Sequence, residues 1–123
     1  KTIVLVKQFR IGPEKLLLEI VAGKVEGKDQ DLENTAKREV LEEVGYEVEE
    51  IVKLHSFHPA PGPVSEEMTL FYAKVSKRAS KGGGLDSEHE EIEVIQMPEA
   101  EFKSYEFNDA KTLIAQKWFT MNF

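Results

Sequence analysis

A chain of 123 residues bounds a single domain, large enough for one core and too small for two. Its 41% hydrophobic and 32% charged content fits a folded domain rather than a disordered one, and the absence of cysteine excludes disulfides and thiolate metal sites. With 23 acidic residues against 16 basic ones, the net charge of −7 disfavours a nucleic-acid backbone and would repel any polyphosphate unless bound cations reverse the local sign.

The chain opens on a β-branched run, KTIVLVK at 1–7, which predicts a buried strand. No Met precedes it, so a fragment or a chain lacking its true N-terminus is expected. Gln8, Phe9 and Arg10 lead to a turn at Gly12 and Pro13, and a second strand, LLLEIVA at 16–22, runs into Gly23. Glu19 within it is either at a sheet edge or put to use. Residues 23–28 read as a loop. Asp29 or Asp31 then caps a helix that runs to Val44 and ends on Gly45, with Ala36, Val40 and Val44 as its core stripe.

Residues 46–58 are extended, with Val48, Ile51, Val52, Leu54 and Phe57 as buried candidates. They end in a rigid loop, PAPGP at 59–63. The run MTLFYAKV at 68–75 is apolar on both sides and predicts a central strand. Gly82, Gly83 and Gly84 make 76–86 a flexible segment, and SEHEE at 87–91 is a second acidic cluster before a strand carrying Ile92, Val94 and Ile95. Pro98 opens a short helix at its first turn. Asn108 caps the last helix, whose predicted inward face is Ala110, Leu113, Ile114 and Trp118.

The chemistry concentrates in REVLEEVG at 38–45. At about 100° per residue, Glu39, Glu42 and Glu43 fall within roughly 100° of arc and share a helix face. Three carboxylates crowded together repel one another, and a divalent, oxygen-preferring cation such as Mg²⁺ turns that repulsion to use. The plain alternative is a solvated acidic face. The same alternative applies to Glu88, Glu90 and Glu91 on the later loop. His55 and His58 read as strand-end residues rather than ligands, and Trp118 and Phe119 as core rather than base-stacking groups. Two acidic clusters far apart in sequence suit metal-assisted hydrolysis, one holding ions and the other supplying a carboxylate to water.

Residues 23–46 resemble the signature of the Nudix hydrolases, G-x5-E-x7-R-E-U-x-E-E-x-G-U, where U is a bulky aliphatic residue. Arg38, Glu39, Val40, Glu42, Glu43 and Gly45 match its second half, and Tyr46 stands at the last U. The first half departs by one extra residue. The pattern's first Glu becomes Asp29 counted from Gly23, and Gln30 counted back from Arg38. The resemblance covers nearly the whole chain. QFR at 8–10, LEIVAG at 18–23, APGPVSE at 60–66 and GGGL at 82–85 are similar to the ADP-ribose and nucleotide-sugar pyrophosphatase branch, as is Pro61, sixteen residues past Gly45.

The resemblance implies a single Nudix domain over 1–123, an α/β/α sandwich around a mixed β-sheet, with the family's N-terminal strands apparently missing. It implies Mg²⁺-dependent hydrolysis, with Mn²⁺ as a possible substitute, of ADP-ribose or a related nucleoside diphosphate sugar. By position it assigns metal binding to Glu39 and Glu43, supported by Glu42, the backbone carbonyl of Ala22 and the loop residue Glu90. Glu88 resembles the catalytic base, and Glu66 is the second candidate. Arg10 is similar to a phosphate contact, and Glu19 is placed with it at the substrate. A cytoplasmic homodimer without nucleic-acid or membrane partners is expected. The rival readings are a non-catalytic nucleotide-sugar-binding module and a nucleoside triphosphate house-cleaning hydrolase.

Overall fold

The computed structural model describes residues 1–23, 25, 31–83 and 91–123. In chain order its elements are β1 (Thr2–Arg10), β2 (Lys15–Glu19), α1 (Leu32–Val44), β3 (Tyr46–Phe57), β4 (Met68–Arg78), β5 (Ile92–Pro98), α2 (Glu99–Ser104) and α3 (Ala110–Asn122).

β1 is the centre of a three-stranded antiparallel sheet of order β2-β1-β5. Its continuous apolar run is explained by burial on both faces, since Leu5 is 0% and Val6 2% exposed. The two-residue period of the strand sorts its side chains into two cores. Ile3 and Leu5 enter a cluster with Met97, Phe102, Phe107 and Phe119, which brings α2 and α3 onto that face. Val4 and Val6 enter the other, with Val40 and Val44 of α1 and with Tyr46. Helices therefore cover both sides of this sheet, as an α/β/α sandwich requires. Each fully buried aliphatic chain contributes about 1.5–3 kcal/mol.

β3 and β4 form an antiparallel hairpin of their own, with register shifts that mark irregularities in the ladder. Tyr46 and Val75 join the α1-side core, while Tyr72 joins the other and packs on Trp118 and Phe123, with ring centroids 5.6 and 5.5 Å apart.

Every ladder between described residues is antiparallel. Three local expectations are corrected. β4 pairs with β3 alone among the described strands. Its apolar character on both faces comes from packing on two cores rather than from a central position. β2 ends at Glu19, three residues early, and Asp109 rather than Asn108 caps α3.

Of the predicted inward face of α3, Trp118 does pack on the core, but the buried residues are Thr112, Gln116 and Phe119, while Leu113 and Ile114 are 37% and 41% exposed. The polar pair is buried because each finds partners. Nε2 of Gln116 donates to the carbonyls of Phe102 and Tyr105 at 2.8 and 2.7 Å, which fastens α2 to α3.

Candidate active site

α1 begins and ends where its sequence dictates. Asp31 takes extended backbone angles and accepts from the Glu33 N–H, while Gly45 closes the helix at φ 77°. Between these caps the helix buries Val40 and Val44 in the core, and it shields carboxylates beside them. Glu43 is only 4% exposed, and the side chains of Glu39 and Glu42 are 13% and 21% exposed, whereas Leu32 and Leu41 are 37% and 43% exposed. A solvated acidic face would show the reverse, so that alternative fails. Burying carboxylates is costly without partners. Nη1 of Arg38 supplies one set, lying 3.0 Å from Glu39 Oε1 and 3.3 Å from Glu42 Oε2.

The segment after β2 meets this face. A Cβ placed on Gly23 would lie 2.1 Å from Cδ of Glu39, so the Glu39 carboxyl occupies the space that any other residue at position 23 would fill. Gly23 thus lies directly beside the first carboxylate of the motif. At the other end of α1, the carbonyl of Gly45 accepts from the N–H groups of Ala79 and Ser80 at 2.6 and 3.0 Å, and that of Glu43 accepts from Gly83 at 2.7 Å. The glycine segment is therefore fastened to the last turn of the carboxylate helix. Gly82, at φ 75°, leaves no room for a side chain against Val44.

A charged cluster flanks the helix. Glu19, 1% exposed, accepts from Nε of Arg10 at 2.7 Å and from its Nη2 at 2.8 Å, a bidentate pair, and from Nζ of Lys111 at 2.7 Å. Lys111 also donates to Asp109 at 3.0 Å. Burial pushes the Glu19 carboxyl up, but the hydrogen bonds and charges of Arg10 and Lys111 outweigh it and hold its pKa below the ordinary carboxylate value. The guanidinium of Arg10 is held above its ordinary value, first by the hydrogen bond to Glu19 and further by the charges of Glu19, Asp109 and Glu43. Arg10 thereby stands within electrostatic reach of Glu43 on the helix. Beside it lies an open cavity of about 580 Å³, bordered by Phe9, Ile11, Leu17, Glu19, Asp109 and Lys111 among others.

Sequence reasoning left Glu19 between an edge position and a used one, and the structure places it on an edge strand with two ion pairs. Among the described strands β2 lies at the edge of its sheet, and Glu19 is its buried, doubly paired end. Lys111, Asp109 and Thr112 were missed. An Asp three residues before a Thr at a helix start is a capping signal that could have found Asp109 and Thr112, but nothing local could have joined Lys111 to Glu19, 92 residues away. Glu66 lies exposed between β3 and β4, where its backbone carbonyl accepts from Nδ1 of His58 at 3.1 Å. Glu88 and Glu90 lie outside the described residues, as do Asp29 and Gln30.

Among the described residues no three Asp, Glu or His side chains converge as a ready-made metal cluster. The donors nonetheless fit a hard divalent cation. They are oxygens throughout, they lie on adjacent turns at Glu39 and Glu43, and the first is set against backbone by a glycine that admits no side chain. No described helix is long and apolar enough to cross a membrane.

Three comparisons with known proteins bear on the site. The NUDIX domain profile matches residues 1–116. GDP-mannose pyrophosphatase of Escherichia coli O1:K1 is 35% identical over 134 residues, covering 99% of this chain and 68% of that protein. Among solved structures, an ADP compounds hydrolase superposes with a TM-score of 0.77 at 20% identity, covering 98% of this chain and 68% of the other. A structure from work on MutT of Aliivibrio salmonicida and Vibrio cholerae superposes at 0.73 with 19% identity, covering 99% and 87%. At such identities the two structures speak for the fold alone.

Proposed function

The chain belongs to the Nudix family, and from that premise we propose that it hydrolyses the pyrophosphate bond of a nucleoside diphosphate sugar, giving a nucleoside monophosphate and a sugar phosphate. The observation that carries this reading is the burial of Glu43, at 4% exposure, beside the Val40 and Val44 stripe of its helix. The similarity to GDP-mannose pyrophosphatases supports the substrate class, and GDP-mannose and ADP-ribose are the first two compounds to test.

In this reading Glu39 and Glu43 hold a divalent cation with help from Glu42 and the Ala22 carbonyl, and Glu90 joins them from the later loop. Mg²⁺ is the proposed ion, with Mn²⁺ as a substitute. When bound, the ion neutralises pyrophosphate oxygens and lowers the pKa of coordinated water. The chain's own residues do the rest. Arg10, with Nε and Nη2 given to Glu19, retains Nη1 for a phosphate oxygen. Glu19, both of whose oxygens are engaged, acts on the substrate through Arg10 by fixing the plane of its guanidinium. Glu88, or alternatively Glu66, takes the proton of the attacking water. A new P–O bond forms at one phosphorus, the bridging P–O bond breaks, and the electron pair leaves with the other phosphate.

A homodimer in the cytoplasm completes the proposal. The exposed Phe9, Ile11 and Leu16 on the β1–β2 hairpin support the dimer, and a cysteine-free sequence supports the compartment.

The test is product release with Mg²⁺ from GDP-mannose, ADP-ribose, UDP-glucose and a nucleoside triphosphate, by the wild type and by Glu43→Gln. Hydrolysis of a diphosphate sugar is expected, with a loss in the variant beyond the roughly 100-fold range of an outer-shell partner. Turnover of the triphosphate alone would point to the house-cleaning reading. Binding without turnover would point to the regulatory one.

A further inference from the structure

Immediately beyond the end of β2, the N–H of Ile20 is taken by the hydroxyl of Thr112, 3.0 Å away and 92 residues later. Thr112 is 0% exposed, and its own proton goes to Oδ2 of Asp109 at 2.6 Å. The Asp109 carboxylate thus orients the hydroxyl so that its oxygen can accept only from the Ile20 side, and the charge strengthens that acceptor. Lys111 ties the preceding residue by bridging Glu19 Oε1 and Asp109 Oδ2 at 2.7 and 3.0 Å.

The next residues are held in opposite directions. The side chain of Ile20 packs on the core of Leu5 and Phe107, that of Val21 on the core of Val6 and Val44, and Gly23 lies against the carboxyl of Glu39. A four-residue path with so many fixed points transmits a shift at its start to its end.

We propose that Thr112, with Asp109 and Lys111, is a positioning group for the metal site: the start of α3 sets residues 20–23 and, through Gly23, the Glu39 carboxylate. This rests on the metal reading given above. An ordinary capping role for Asp109 accounts for its bond to the Thr112 N–H at 3.3 Å, but not for the hydroxyl being spent on a backbone amide of the segment beside Glu39.

The test reads Mn²⁺ binding by electron paramagnetic resonance on the full chain without substrate, alongside thermal melts. Thr112→Val keeps the shape and removes the acceptor, whereas Thr112→Ser restores it. Leu70→Ala, in β4 and outside this cluster, supplies a comparable loss of stability. Thr112→Val is expected to weaken Mn²⁺ binding about 10-fold or more, the range seen for outer-shell partners. Thr112→Ser and Leu70→Ala should bind close to wild type.

Wild-type affinity in Thr112→Val, or an equal loss in Leu70→Ala, overturns the proposal. If Thr112→Val does not fold, Asp109→Ala reads the same quantity, because it frees the hydroxyl rotor, and unchanged affinity there is equally fatal. A wild type that binds no Mn²⁺ overturns the metal reading and this inference together. One that binds Mn²⁺ yet cleaves no diphosphate sugar overturns the substrate reading alone.

Discussion

Two residues separate chemistry from scaffolding at the site. Gly23→Ala would place a methyl group where the end of the Glu39 side chain lies. That side chain can swing away at little cost in folding, so the melting temperature should hold while divalent-metal affinity falls about 10- to 100-fold. A calorimetric titration with Mn²⁺ checks this, and equal affinities would show that Gly23 does not set Glu39.

Glu19→Gln, besides loosening Arg10, acts through stability. Removing one charge from a buried pair leaves Arg10 and Lys111 facing a neutral amide, at a cost of about 3 kcal/mol, the lower end for such losses because Arg10 is partly exposed. The sign of its pH dependence follows from the lowered pKa. The carboxylate's contribution is complete above the ordinary value of 4.5 and is lost as pH falls through the folded-state value below it. The stability gap between wild type and Glu19→Gln should therefore be constant at neutral pH and close on acidification. A gap that persists unchanged in acid would contradict this account of Glu19.

At the scale of elements, the end of α1 is the junction on which the site is assembled. Gly45 sits at φ 77°, and a Cβ there would lie 2.2 Å from the backbone oxygen of Ser80. Gly45→Ala combines left-handed strain with a backbone clash and should cost about 2–4 kcal/mol in urea unfolding. A loss of only a few tenths would mean that residues 79–83 are not fixed to the helix end.

The same scale shows what periodicity conveys and what it omits. The four-residue spacing of Val40 and Val44 correctly located a core contact of α1. In α3 the same kind of argument chose Leu113 and Ile114, yet Thr112 and Gln116 are inside because the carbonyls of Phe102 and Tyr105 and the amide of Ile20 need partners. Hydrophobicity ranks side chains by their cost in water. It carries no record of which distant backbone groups lack a hydrogen bond.

For the whole molecule, a net charge of −7 and shielded carboxylates on α1 mean that the proposed metal site would couple ion binding to folding. A ligand that binds only the folded state at about 100 times its dissociation constant adds about 2.7 kcal/mol, which for a domain of this size raises the melting temperature by roughly 10 °C. Thermal melts with Mg²⁺ or Mn²⁺, before and after a chelator, test this. A melting temperature indifferent to the ion would remove the metal from the site.

The sequence alone determined the local parts: the strand at the start of the chain, the carboxylate helix that ends on Gly45, the Gly12-Pro13 turn, and the family whose signature these residues carry. Those features depend on caps, turns and short-range periodicity, which act over a few residues and are written in consecutive letters. Only the tertiary structure decided that Glu43 faces inward while Leu41 faces water, that Glu19 ends an edge strand between Arg10 and Lys111, and that Thr112 holds Ile20. Each of these joins groups brought together by the packing of two cores. The energy of such a pairing depends on distance in space, which no spacing along the chain records.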